Sequence, residues 1–557
     1  MYKPFFRLMA AFFLLAVLTA SPAQAAGQTV DQLLAAMSPE EKIGQMMVVF
    51  FQGPDMSADL ERVIAETHVG GVILYSSAGN IESPSQVAKL TADLQRRAGE
   101  TPRGIGLIVS VDQEGGPISR LRDGVTLFPS QMAIAATGDR ENARAAARIT
   151  AQELKALGIN SNFAPVADVN SNPQNPIIGI RSFGSDPDEV SRLTAAMTAE
   201  YVRAGVICTP KHFPGHGDTD VDSHQGLPLS NHDARTLDRV DFPPFRAAFA
   251  SGAPAVMTAH VEVPALDPTP SLPATLSSKV LEGVLRGKMH FQGLIVTDSL
   301  GMGALDKTVG TAEAAVRAAK AGADVLLFGA DKGHTPGEQP AVFQRLLGAL
   351  RSGELPAKRV DEAVRRILEA KQTYGLLQAK AIPGAGPEIA YLVGTPENLR
   401  AARSIAEASL TLYRDPEKLL PVKPGQGLLI VRCRKMEPGQ ADPLAMPGAS
   451  LQYVGLEPTE AQAKQAAEAA AQSGLVVVLT YDAVNHPAQR SLLRTLLSVK
   501  PRKLVHVASG SPYDLTLFPG SQACVATYGD VPVSMEALAK GLTGQISLSG
   551  RLPVKLP

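Results

Sequence analysis

Eight short runs of β-type residues, set apart by longer amphipathic segments, constrain the fold of this chain more than any other feature. They are IGQMMVVFF from Ile43, GGVILY from Gly70, GLIVSVD from Gly106, NSNFAPVADV from Asn160, VICTP from Val206, PAVMTAH from Pro254, GLIVTD from Gly293 and ADVLLFG from Ala323. Near-continuous Val, Ile and Leu runs suit strands covered on both faces, as in a parallel sheet. Between them, ENARAAARITAQELKALG from Glu141 and SDPDEVSRLTAAMTAEYVRAG from Ser185 are Ala-rich and amphipathic. The second opens on Ser and Asp residues able to cap a helix and closes at Gly205, a helix stop. Eight strands alternating with helices predict an α/β fold, a (β/α)8 TIM-type barrel over residues 28–378. A doubly wound open sheet is the alternative that periodicity leaves standing.

At 557 residues the chain exceeds one ordinary core, so a second domain is expected. After the helical segment RVDEAVRRILEAKQTYGL from Arg359, residues 379–397 are rich in Gly, Pro and Ala and read as a linker. From about Asn398 the runs GLLIVRC, GLVVVLTYD, KLVHVAS and ACVATYG predict a smaller α/β sandwich domain over 398–557. At the other end, Lys3 and Arg7 precede LMAAFFLLAVLTA, and Ala23-Gln24-Ala25 is an A-x-A cleavage site. Residues 1–25 therefore predict a signal peptide and an exported protein, periplasmic or secreted. An apolar run of about 13 residues is short of the roughly 20 that span a bilayer, so no stable membrane insertion is expected once it is removed.

The 53 basic residues are balanced by 54 acidic ones, which argues against a nucleic-acid partner. Three widely separated cysteines, Cys208, Cys433 and Cys524, make no disulfide framework.

Chemistry in a barrel sits at the carboxyl ends of the strands. The third run ends in Asp112, Glu114 and Arg120, Arg181 follows the fourth, His260 ends the sixth and Asp298 ends the seventh. The fifth run leads into KHFPGHGDTDVDSH, Lys211 to His224, dense in His and Asp and broken by Gly and Pro. Its spacings match no HExxH or paired CxxC pattern, so no metal and no cofactor is expected. Carboxylates facing a separate acid or base across a polar mouth serve a retaining glycosidase, and the same set would serve a phosphate- or carboxylate-binding barrel.

VDQEGG from Val111, KHFPGHGDTDVDSH and VTDSLGM from Val296 together resemble glycoside hydrolase family 3, in its β-N-acetylglucosaminidase branch. EALAKGLTGQISLSGRLPVKLP from Glu536 is similar to the closing segment of two-domain members. The resemblance implies Asp298 as nucleophile and His224, partnered by Asp222, as acid/base. It assigns Asp112, Arg120, Arg181, Lys211 and His212 to the sugar. Pro117 stands where many relatives have Arg after DQEGG. Other branches draw an acid/base Glu from the second domain, whereas Glu437, Glu457 and Glu468 here read as surface charges. The expected substrate is a GlcNAc-containing glycan, from peptidoglycan fragments or chitooligosaccharides, cleaved at its non-reducing end with retention. The alternatives are a phosphorylase or β-glucosidase of the same family, and a non-catalytic cell-wall glycan-binding protein. The sequence is silent on oligomeric state.

Overall fold

A computed structural model of the chain describes residues 29–379, 387–423, 425, 427–434, 442–499, 501 and 503–557. The expected signal peptide, residues 1–25, lies outside them, as do residues 380–386 of the expected linker and Glu437. No described helix is long and apolar enough to cross a membrane.

Each of the eight runs holds a short strand: β1 Met47–Val49, β2 Gly71–Leu74, β3 Ile108–Val111, β4 Ser161–Asn162, β5 Ile207–Cys208, β6 Ala255–Met257, β7 Leu294–Val296 and β8 Leu326–Leu327. All pair in parallel, in a curled sheet of order β8-β1-β2-β3-β4-β5 and a separate pair β6-β7. Isolated parallel bridges, Phe213 to Thr258 and Val296 to Val325, tie that pair to both edges of the sheet.

The first run needs a correction, because Ile43–Gln45 belong to the helix Pro39–Gln45 and the strand starts only at Met47. Ser38 and Glu41 close a reciprocal capping box and Pro39 occupies the first turn, so local helix signals outweigh the β-type side chains. The helix Pro187–Ala204 follows its sequence signals: Asp186 accepts from the N–H groups of Asp188 and Glu189, and Gly205 ends it at φ 72°.

The second half carries a six-stranded sheet made of β9 Thr411–Arg414, β10 Leu428–Arg432, β11 Ser450–Tyr453, β12 Leu475–Thr480, β13 Leu504–Ala508 and β14 Ala523–Ala526. Its order is β9-β14-β13-β12-β10-β11, parallel except for the edge strand β9. Alternation sends Ile430, Val477 and Val505 to one face, against Ala406 and Leu538, and Leu429, Val431, Val476 and Val478 to the other, against Ala466 and Leu493. Both faces are covered, which is why the inner strands are mostly apolar, with His506 and Arg432 the buried polar exceptions in β13 and β10. The helix Pro396–Ser409 begins two residues before the expected start of this half.

The halves share a core in which Met132, Ala133 and Ile180 pack with Tyr513, Tyr528 and Val554. The Ser130 hydroxyl donates to the Tyr528 carbonyl and the Ser185 N–H to the Pro553 carbonyl. Gly184 lies at φ 153°, where a Cβ would stand 2.1 Å from the Pro553 oxygen. Gly184→Ala is expected to pry this contact apart and cost about 1–3 kcal/mol, read as a lower urea midpoint.

Candidate active site

At the carboxyl ends of the curled sheet lies a cavity of about 300 Å³. Tyr75 follows β2, Asp112, Glu114 and Arg120 follow β3, and Arg181 follows β4. The segment after β5 brings Lys211, His212 and His224; Asp298 and Met302 follow β7, and Asp331 follows β8. The sequence-predicted residues thus meet in one place, with Asp222 just behind His224.

Glu114 holds one wall. Its fully buried carboxylate takes two hydrogen bonds from Arg181, at 2.8 and 2.9 Å, and an ion pair from Lys211 Nζ at 2.7 Å. Burial alone would raise the Glu114 carboxyl, but the two cations hold it far below the usual carboxylate range. Lys211 also donates to Asp112 Oδ1 at 2.7 Å, and Arg120 lies 3.6 Å from Asp112 Oδ2 with its guanidinium 5.2 Å from the centre of the Tyr75 ring. Arg120 and Arg181 are therefore placed by cavity carboxylates rather than by each other.

Asp168, wholly buried, shapes the start of the histidine segment. It lies 2.7 Å from His212 Nδ1 and accepts the backbone N–H groups of His212 and His216. Burial opposes its charge, and the His212 ring leads the groups that keep its carboxyl low. His216 sits between Thr219 and Ser223 and is pushed down to about 4, chiefly by burial, so it is a neutral structural ring at neutral pH. Gly217 is obligatory, since a Cβ would fall 1.7 Å from the Val169 carbonyl oxygen. Farther along, His232 is gripped by Asp241 at 2.7 Å and Asp218 at 3.3 Å, and the Ser223 carbonyl accepts the Ala304 N–H. The segment is thereby pinned against the loop that follows Asp298.

His224 Nδ1 donates to Asp222 Oδ1 at 2.8 Å, and the His224 side chain is 55 % exposed. Asp222 raises the His224 pKa through this hydrogen bond; burial opposes it and the Asp298 charge assists. Asp222 itself is held low despite its burial by the hydrogen bonds from His224. Because Nδ1 is committed, Nε2 is the free ring nitrogen.

Asp298 accepts the Ser299 N–H at 2.8 Å. Burial would raise its carboxyl, but His212, His260, His224 and Lys211 keep it ionised. Ser299 is clamped further: its hydroxyl accepts the Gly329 N–H and donates to Asp331, and its carbonyl lies 2.8 Å from His260 Nε2. His260 is wholly buried beneath Ser299 instead of lining the cavity, which corrects the expectation from its strand-end position.

Asp331 and Asp168 are not among the residues expected from sequence. Asp331 lies two residues beyond the eighth run and four beyond β8, farther from its strand than Asp298 is from β7, while Asp168 is the lone charge inside the fourth run. Burial and the neighbouring Asp298 charge raise the Asp331 carboxyl. In the second half, Glu457 and Glu468 are exposed, with Glu457 beside His486. Among the described residues no three His, Cys, Asp or Glu side chains gather as a metal site would need. The three cysteines are free and buried.

A polar cavity at the strand ends of a parallel sheet is where an α/β enzyme holds a polar substrate. Similarity narrows the class. The glycosyl hydrolase family 3 N-terminal domain matches residues 38–370, and the chain belongs to that family. Beta-hexosaminidase A of Pseudoalteromonas piscicida is 29 % identical over 89 % of this chain and 90 % of its own length. A beta-N-acetylglucosaminidase/beta-glucosidase of Cellulomonas fimi is 30 % identical, covering 94 % and 95 %. The solved glycoside hydrolase family 3 beta-N-acetylglucosaminidase from Paenibacillus sp. str. FPU-7 is 39 % identical with a TM-score of 0.87, covering 94 % of this chain and 99 % of that one.

Glu114→Ala would leave Arg181 and Lys211 as buried, under-paired cations. A loss of about 3–5 kcal/mol is expected in urea unfolding, together with weakened binding of any ligand in the cavity.

Proposed function

We propose that this protein is an exported, retaining exo-β-N-acetylglucosaminidase that removes terminal GlcNAc from peptidoglycan fragments or chitooligosaccharides. One observation carries the reading: an imidazole tied to a carboxylate stands at the rim of the cavity that holds the ionised Asp298. The cavity is at the small end of the roughly 300–1,000 Å³ usual for ligand pockets, which suits a single terminal sugar. The names of the relatives supply the acetamido sugar.

In the first step an Asp298 oxygen bonds to the anomeric carbon as the glycosidic bond breaks, and the departing oxygen takes the proton from His224 Nε2. In the second, water attacks the same carbon, its proton passes to Nε2 and Asp298 leaves as a carboxylate. Asp222 fixes the tautomer and supports the imidazolium. Asp112, Arg120, Arg181, Lys211 and His212 hold the sugar hydroxyls and acetamido group through charge-assisted hydrogen bonds. The chemistry uses no metal or cofactor.

For the fold, the bridges at both sheet edges support a closed (β/α)8 barrel over an open sheet. The three-layer second half is then a smaller α/β sandwich domain from about residue 398. The first 25 residues are read as a signal peptide that delivers the protein to the periplasm or the medium.

His224→Ala is expected to lower turnover of GlcNAc disaccharides by about 10²–10⁴-fold and to spare substrates with an activated leaving group such as dinitrophenol. Equal losses on both would remove the acid role. Asp222→Ala should move the alkaline limb of kcat/KM to lower pH, because the hydrogen bond that raises His224 is gone. Comparing 4-nitrophenyl GlcNAc with the glucoside separates this reading from a β-glucosidase, and a search for the sugar 1-phosphate in phosphate buffer separates it from a phosphorylase.

A further inference from the structure

We propose that a crevice at the carboxyl edge of the second sheet is a carbohydrate-binding site that holds the distal part of the glycan whose terminal sugar is removed. The proposal rests on the function given above and extends it to longer chains.

From β10 the chain moves outward to β11 and then crosses back to β12 on the other side of β10. Parallel sheets take ligands outside the strand carboxyl ends at such a reversal. A cavity of about 1090 Å³ opens there, bordered by Arg434 after β10, Tyr453 at the end of β11, Glu457 in the segment that follows it, Tyr481 after β12 and Asp530 after β14.

Its walls are preorganised. Gln489, wholly buried, donates to the Leu456 and Tyr481 carbonyls at 3.0 and 2.9 Å and accepts the Tyr481 N–H at 2.8 Å, tying the two lips together. Arg434 donates to the Asp530 carbonyl at 2.9 Å and forms an ion pair with the Asp530 carboxylate at 2.9 Å. Gly510 lets the Tyr481 ring pack down, since a Cβ there would stand 3.1 Å from it.

The chemistry favours sugar over phosphate. Among the described lining residues Arg434 is neutralised by Asp530, and Glu457, which pairs with His486, is a carboxylate, so none of them is an unpaired cation awaiting an anion. Two tyrosine rings beside planar donors and acceptors suit the apolar faces and hydroxyl edges of saccharide rings. A smaller cavity of about 200 Å³ shares Ile118, Ile177 and Arg181 with the catalytic cavity and Tyr481 with the crevice, placing all three along one track.

The test is calorimetric titration of the full chain carrying Asp298→Asn with GlcNAc and with chitotetraose, alone and combined with Arg434→Ala/Glu457→Ala or with Leu456→Trp, which fills the crevice. Each addition is expected to weaken chitotetraose about tenfold and leave GlcNAc unchanged. With Asp298 restored, both should lower kcat/KM for chitotetraose and spare 4-nitrophenyl GlcNAc. Unchanged chitotetraose affinity, or equal losses on long and short ligands, overturns the proposal. Failure of the unaltered enzyme to release nitrophenol from 4-nitrophenyl GlcNAc would instead strike the proposed activity, and the tetraose-to-monosaccharide comparison is read separately from it.

Discussion

The arrangement of the catalytic cavity depends on one buried anion. The Glu114 side chain is buried and is tolerated because Arg181 and Lys211 close on it together, at 2.7–2.9 Å. Each of the three would be costly alone in the interior. Satisfied together, they lock the ends of β3, β4 and β5 to one another. Asp112 and Arg120 extend the same network toward the mouth. The positions offered to a ligand are consequences of this mutual neutralisation.

A second constraint acts on the histidine segment. Its first residues are buried and held by Asp168, with Gly217 allowing the backbone to pass under the Val169 carbonyl. Its later residues rise to the rim, where His224 is half-exposed and Ser223 leans on the loop after Asp298. Rigid at one end and open at the other, one stretch of chain contributes both to the floor and to the edge of the site. The second half braces the neighbouring loops through the shared core around Ile180 and Tyr513. The open edge remains clear of that brace.

Much of this was legible from residue pattern alone. Strands covered on both faces announce themselves as apolar runs, and seven of the eight in the first half and four of the six in the second do so, β4 with Ser161 and Asn162 being the polar exception in the first half. The two others in the second half, β9 and β11, lie at the sheet edges, where only the first residue of β9 and none of β11 is buried, so their sequences carry no such run. Ile43–Gln45 misled because β-branched and apolar side chains do not outweigh a capping box. Asp112, Lys211 and Asp298, all near strand ends, line one cavity, whereas His260 at the same kind of position turns its ring inward under Ser299. The reach of a side chain from a strand end is decided by the packing around it, which periodicity does not record.

The crowding of Asp222, Asp298 and Asp331 around a single imidazole has a consequence for timing. Under the two-step route, esterification cancels the charge on Asp298, so His224 then has one anion fewer to retain its proton. The ring is thus more acidic after it has given its proton away than before, as suits a group that must next accept one only from water in the act of attack. In a cycle of this kind the reaction itself resets the electrostatic balance at the ring.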